Sequence, residues 1–236
     1  TARELVRDFD CLLYDLKGFG RSRLPANSAN FSYDLSTYVE DLAELLNQLN
    51  LSQIYLNGHS MGASISLLFA NRYPTQVKQL ILTCSGVFTY DETAFSAFYK
   101  FASWIINFRP PWLLWIPFLD QIFMARFLHR PLPLAISRAF LEDFVKADYD
   151  AALGTIFTSV SQEMAQKMPL EFTKIAVPTL LISGEYDQII PPSLAQKARE
   201  YNQKIRGEMI LNTAHFPMLE DPRNYLKCLH NFLQDF

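Results

Sequence analysis

Apolar positions along this chain follow two rhythms that take turns. Compact runs with little polar interruption occur at residues 9–14, 54–56, 77–84, 177–184 and 208–212. Such runs, bounded by turn residues such as Gly18 and Ser85-Gly86, predict strands buried on both faces of a parallel sheet. Between them the spacing lengthens to three and four residues. Leu35, Tyr38, Val39, Leu42, Leu45, Leu46 and Leu49 make one helical face, opened by Asp34 or Ser36 as cap. Ile65, Leu68, Phe69 and Tyr73 make a second. Pro191-Pro192 starts a third helix, with prolines in the first turn where a missing N–H costs least. Asp221-Pro222 caps a last one, with Tyr225, Leu226, Leu229, Phe232 and Leu233 on one side. Residues 2–8 read as the closing turn of a helix that runs into the first strand. Strand alternating with helix predicts an α/β fold, a mostly parallel sheet with helices on both faces. The 9–14 strand, the helix after it and the 54–56 strand form a βαβ unit with a right-handed crossover.

From about Val87 to Leu170 the pattern changes to aromatic-rich helical segments broken by prolines at 110, 111, 117, 131 and 133. Trp104, Trp112 and Trp115 all fall here. The stretch reads as a helical cap, residues 87–170, inserted into one core domain made of residues 1–86 and 171–236. Its longest apolar runs stop at Arg109 or at a proline, short of the roughly 18 residues a membrane span needs. Most of the cap aromatics are expected to pack between cap and core. The rest would wall an apolar pocket or form a surface for lipid contact.

A length of 236 residues, half of them hydrophobic, suits a single core. The net charge of -3, with no dense Lys/Arg cluster, argues against a nucleic-acid partner. Cys11, Cys84 and Cys228 are widely spaced in apolar segments and read as buried reduced thiols, hence a cytoplasmic protein. The sequons at Asn30 and Asn50 are read as chance matches.

Candidate chemistry centres on Gly58-His59-Ser60-Met61-Gly62, between a short strand and a helix. A serine at that turn is exposed at a helix N-terminus, where the N–H of Met61 can face a developing oxyanion. The flanking glycines suit a turn that strains the backbone and crowds neighbouring segments. Asp187 and His215 follow the ends of two later strands, so all three groups gather at the carboxyl edge of the sheet. Serine needs a base to become nucleophilic, histidine can take and return a proton near neutral pH, and a carboxylate orients the imidazole. His59 is expected to pack beside the turn, and His129 and His230 to be ordinary structural residues. Asp15 rivals Asp187 but suits a loop-structuring role, and Asp143, Asp148 and Asp150 read as ordinary charges. The glycine pattern after the first strand fits neither a dinucleotide fingerprint nor a P-loop, and no spacing suggests a metal site or cofactor.

Asp15-x-x-Gly18-x-Gly20-x-Ser22, Gly58-x-Ser60-x-Gly62, Gly184-x-x-Asp187 and Ala214-His215 followed by Glu220-x-Pro222 together resemble the α/β-hydrolase superfamily, in its lid-bearing serine branch. The resemblance runs over nearly the whole chain. It implies Ser60, Asp187 and His215 as the triad, the Met61 N–H as an oxyanion donor, and the 87–170 insertion as the lid. Serine at the turn argues against the dehalogenase and epoxide-hydrolase branches, which carry Asp there. Members have further strands and a His-Gly loop ahead of the strand that ends at Asp15. The resemblance therefore implies an N-terminally truncated fold here, with an open apolar sheet edge and the second oxyanion donor outside this chain. It implies ester hydrolysis of a small apolar substrate through an acyl-enzyme. Carbon–carbon hydrolysis, thioester or peroxy chemistry on the same triad, or ligand binding without catalysis, are the alternatives.

Overall fold

The computed structural model describes residues 1–24 and 31–234; the Asn30 sequon lies outside the described residues. Helices α1 (Ala2–Leu5) and α2 (Leu35–Gln48) precede strand β1 (Ile54–His59), and α3 (Met61–Arg72) leads to β2 (Val77–Thr83). Five helices follow: α4 (Glu92–Asn107), α5 (Leu119–Ala125), α6 (Leu134–Lys146), α7 (Tyr149–Ser159) and α8 (Gln162–Lys174). Then come β3 (Thr179–Gly184), α9 (Pro192–Glu200), β4 (Ile205–Ile210), α10 (Pro217–Glu220) and α11 (Pro222–Gln234). The four strands lie in the order β1-β2-β3-β4, every neighbouring pair parallel.

Alternation along the strands divides the core. Leu80 and Leu82 of β2 and Leu181 of β3 face α2, α3 and α8, where Tyr38, Phe69 and Phe172 are fully buried. Ile81, Leu180 and Ile182 point the other way, onto Tyr225, Leu229 and Phe232 of α11. Both faces of the sheet are therefore covered, each such side chain contributing about 1.5–3 kcal/mol on burial. This is the α/β architecture that the strand and helix rhythm predicts.

Two strand expectations are corrected. Residues 9–14 form no strand, and Leu12, Leu13 and Tyr14 are exposed. An apolar run is held as a strand only when a neighbour offers a backbone ladder. On its inner edge β1 pairs with β2, and among the described residues nothing pairs with its outer edge, where the Phe9 ring meets Tyr55 at 5.4 Å. The βαβ unit predicted through α2 is therefore not formed; β1, α3 and β2 make one instead. The last strand is β4 at Ile205–Ile210 rather than residues 208–212, because its ladder runs opposite all of β3, from Thr179↔Ile205 to Gly184↔Ile210. Beyond it Asn212 turns to φ 56° and leaves the extended region.

The aromatics of residues 87–170 split. Phe95, Tyr99 and Phe157 form one ring cluster and Phe123, Phe127, Phe140 and Phe144 another, whereas all three tryptophans are exposed. No described helix is long and apolar enough to cross a membrane. All three cysteines are free; Cys84 is buried, Cys11 and Cys228 only half so.

Candidate active site

Strand β1 hands the chain directly to α3 through Ser60, whose backbone sits at φ 53°, ψ -121°. A non-glycine residue there stores on the order of 1–3 kcal/mol of strain. The Ser60 N–H donates to the Thr83 carbonyl at the end of β2 (2.9 Å), which holds the turn against the sheet. At Gly58 a Cβ would run into the Gly62 carbonyl and the Ser66 hydroxyl, so glycine is sterically required. The same expectation fails at Gly62, where a Cβ would meet nothing within 4 Å among the described residues. The crowding comes from the Gly62 carbonyl, not from its α-carbon.

Asp187 lies just past β3 and His215 just past β4, both almost fully buried. Asp187 Oδ2 is 2.8 Å from His215 Nδ1, and His215 Nε2 is 3.1 Å from Ser60 Oγ. The other carboxylate oxygen, Oδ1, accepts the N–H groups of Ile189 (2.8 Å) and Ile190 (3.0 Å). Burial works to raise the Asp187 pKa, but the bonds from His215, Ile190 and Ile189 outweigh it and hold the carboxyl below its ordinary value. An ionised Asp187 only accepts, so Nδ1 of His215 carries the proton and the Nε2 lone pair faces the Ser60 hydroxyl. Ala63 and Ser64 donate to the Ser60 carbonyl (2.9 and 3.2 Å), so Met61, the first residue of α3, carries an N–H ahead of those the helix satisfies.

The other sequence candidates take supporting places. His59 donates from Nε2 to the His215 carbonyl (2.6 Å) and packs its ring 4.8 Å from His215 and 4.9 Å from Phe216. Burial, with His215 beside it, lowers the His59 pKa to about 4. The unfolded chain binds that proton below about pH 6.5 and the folded chain does not, so stability falls as pH drops from about 6.5 toward 4, by on the order of 3 kcal/mol. His59→Gln keeps an N–H donor for the carbonyl and should flatten that window in urea titrations run across it. Asp15 accepts the Arg21 N–H (2.9 Å) and orders its own loop, as expected, with Gly18 and Gly20 both at positive φ. His129 stacks flat on Tyr186 at 4.1 Å, and His230 lies half-buried on α11. Asp148 accepts the Leu24 N–H (3.2 Å).

His59, Cys84 and His215 bring ligand-type atoms within 4.8 Å of one another. Those atoms are already engaged: His215 by Asp187 and Ser60, His59 by a carbonyl. Burial and the nearby Asp187 push the Cys84 thiol far from ionising. The donor set therefore does not fit a resident metal ion.

Glu220 is a residue whose role sequence reasoning missed, although its Glu-x-Pro motif stood out. Its buried carboxylate accepts the Ala214 N–H on Oε1 (2.8 Å) and the N–H groups of His129 (2.6 Å) and Arg130 (2.8 Å) on Oε2. The His215 N–H in turn donates to the Phe127 carbonyl (3.0 Å). One carboxylate thus ties the loop carrying His215 to the segment after α5. Glu220→Ala leaves three N–H groups without their acceptor and should cost about 3 kcal/mol, a fall in Tm of roughly 6–12 °C by calorimetry.

The family model described as alpha/beta hydrolase fold matches residues 1–222. Epoxide hydrolase 3 of Xenopus tropicalis is 24% identical over 253 residues, which cover 98% of this chain and 66% of the frog protein. Lipase 1 of Psychrobacter immobilis is 27% identical over 239 residues, covering 93% of this chain and 67% of the lipase. The chain thus spans about two thirds of the length of these curated relatives. The solved structure of an esterase from Exiguobacterium antarcticum superposes with a TM-score of 0.76 at 24% identity, over 93% of this chain and 80% of that one.

Proposed function

Because this chain belongs to the alpha/beta hydrolase fold family, we propose that it is a serine hydrolase cleaving an ester bond of a small apolar substrate. The observation that carries the reading is the hydrogen-bonded line from Asp187 through His215 to a backbone-strained Ser60. In this reading Ser60 Oγ attacks the ester carbonyl carbon while His215 Nε2 takes its proton. The oxygen that gains negative charge turns toward the Met61 N–H at the head of α3. His215 then returns the proton to the departing alkoxide, and an acyl group remains on Ser60. Water, deprotonated by the same imidazole, releases the acid and restores the serine. Asp187 stays ionised throughout and holds the imidazole in the tautomer that leaves Nε2 free. No step requires a metal or cofactor.

Residues 87–170 serve as the cap over a core of residues 1–86 and 171–236. Phe127, Phe140 and Phe216 support the apolar preference: Phe127 lies 6.2 Å from the His215 ring, and Phe216 contacts both His215 and Phe140. Relatives named epoxide hydrolase and lipase point to different chemistry. Opening an epoxide through an enzyme-bound ester calls for a carboxylate nucleophile, and the residue at the turn is a serine. The test is covalent trapping: a fluorophosphonate probe should label the chain at Ser60 and nowhere else. Labelling that persists without Ser60, or none in a folded chain, would overturn the reading.

A further inference from the structure

Resting on the serine-hydrolase reading, we infer that His129 and Arg130 are positioning residues, through which the segment 127–130 holds the Asp187 loop and the His215 loop in register. The sheet alone sets neither loop. The ladder between β3 and β4 ends at Gly184↔Ile210, so Asp187 and His215 both stand on chain beyond it. Their line to Ser60, at 2.8 and 3.1 Å, is kept by other contacts. Two of these join the loops directly: the Tyr186 N–H donates to the Thr213 carbonyl (2.8 Å), and the Asn212 N–H to Glu185 Oε2 (2.8 Å). A further set comes from residues 127–130, between α5 and α6.

On the base side, the Arg130 guanidinium reaches both ends of the loop that carries His215. Nη2 donates to the Leu211 carbonyl (3.5 Å), just past β4. Nη1 donates to the Glu220 carbonyl (3.4 Å) and to Asp221 Oδ2 (3.3 Å), just before α11. Arginine suits this place because its planar fork presents several donors in fixed directions from one charged group. His215 lies in the middle of the spanned loop, and the Phe127 carbonyl takes its backbone N–H (3.0 Å).

On the acid side, the His129 ring lies flat on Tyr186, at 4.1 Å with 14° between the planes. Tyr186 immediately precedes Asp187 and is half-exposed, so the stack gives an otherwise open side chain a defined place. The same His129 donates its backbone N–H to Glu220 Oε2 (2.6 Å). One residue therefore touches the acid loop with its ring and the base loop with its backbone. That matters for chemistry because a displacement of about 1 Å in such a line costs on the order of a hundredfold in rate. Contacts that only add stability would lower Tm and leave the line as it is.

The experiment uses the full chain and reads kcat, KM and Tm, together with the proton NMR signal of His215 Nδ1–H, which needs no substrate. His129→Ala should lower kcat on a chromogenic ester about tenfold with little change in KM, and the Nδ1 proton should exchange faster with water, broadening its signal. His129→Phe keeps a flat ring and should restore both. Tyr186→Ala should match His129→Ala, and the double variant should lose no more than either, because each removes the same stack. Tyr186→Ala also serves where His129→Ala does not fold. Arg130→Met should lower kcat and broaden the signal from the base side. A folded His129→Ala chain with kcat and signal unchanged overturns the inference, whether or not its Tm falls. Losses that add in the double variant overturn it too. A parent chain that hydrolyses no ester would count against the hydrolase reading, and the NMR signal of the variants would still decide whether the segment aligns Asp187 with His215.

Discussion

Replacing Ser60 by alanine is expected to lower turnover of an apolar ester by about a millionfold and to abolish fluorophosphonate labelling. The size follows from what the hydroxyl does. Without Oγ no acyl-enzyme forms, and the His215 imidazole, 3.1 Å from the missing oxygen, has no proton to accept from it. What survives is the stabilisation given by backbone N–H groups and by substrate binding. Combining Ser60→Ala with His215→Ala should cost little more than either alone, because the two groups act on one proton transfer and their effects do not add. Tm should not fall, since Ser60 is only partly buried and its backbone N–H bond to Thr83 is kept. The measurement is kcat on a chromogenic ester beside probe labelling and thermal unfolding of the same samples. Turnover in the Ser60→Ala chain within a hundredfold of the parent would remove serine chemistry from this site.

Asp187→Asn carries the second largest effect, a loss of about 10⁴ in kcat. The reason is specific to how this carboxylate is held. Oδ1 accepts the N–H groups of Ile189 and Ile190, so an asparagine amide will place its oxygen there and aim its NH2 group at His215 Nδ1. Facing a donor, Nδ1 must become the acceptor, and the imidazole proton moves to Nε2, where it can no longer take one from Ser60. KM for the ester should change little, because Asp187 does not touch substrate in the proposed mechanism. Probe labelling should slow in parallel with turnover, since both depend on the same base. The carboxylate is also acid-sensitive: with its pKa lowered in the fold, its contribution to stability is present above the unfolded carboxylate range and is lost as pH falls through the folded value. Turnover of the Asn variant within tenfold of the parent would mean that another group orients His215.

Much of the core could be read from spacing alone. Leu80 and Leu82 against Ile81, or Tyr225, Leu229 and Phe232 along α11, carry their periods locally, and each period selects one element type. The failed strand at residues 9–14 shows the limit. Its apolar content is real, but a strand is a relation between two backbones, and apolar content does not create the second one. The limits of β4 misled for a related reason, since they follow the length of β3 rather than its own side chains.

The site divides in the same way. Ser60 was legible because the turn from β1 to α3 strains a backbone that Gly58 must accommodate, and that requirement is written in adjacent residues. Asp187 and His215 were legible as residues at strand ends. That Oδ2, Nδ1, Nε2 and Oγ fall into line within 2.8 and 3.1 Å depends on β1, β3 and β4 being held in one sheet, with β2 between β1 and β3. Glu220 was visible as a motif, but two of its three N–H partners, His129 and Arg130, lie 91 and 90 residues away from it in sequence, so nothing local announces its role.

The chain's own order of residues thus determined the alternation of elements, the strained serine turn and the identities of the chemical groups, because each rests on covalent neighbours. Only the tertiary structure decided which groups share a proton, which carboxylate braces the histidine loop, and that the tryptophans face outward. Those outcomes depend on distances between segments far apart in sequence, and such distances are set by packing.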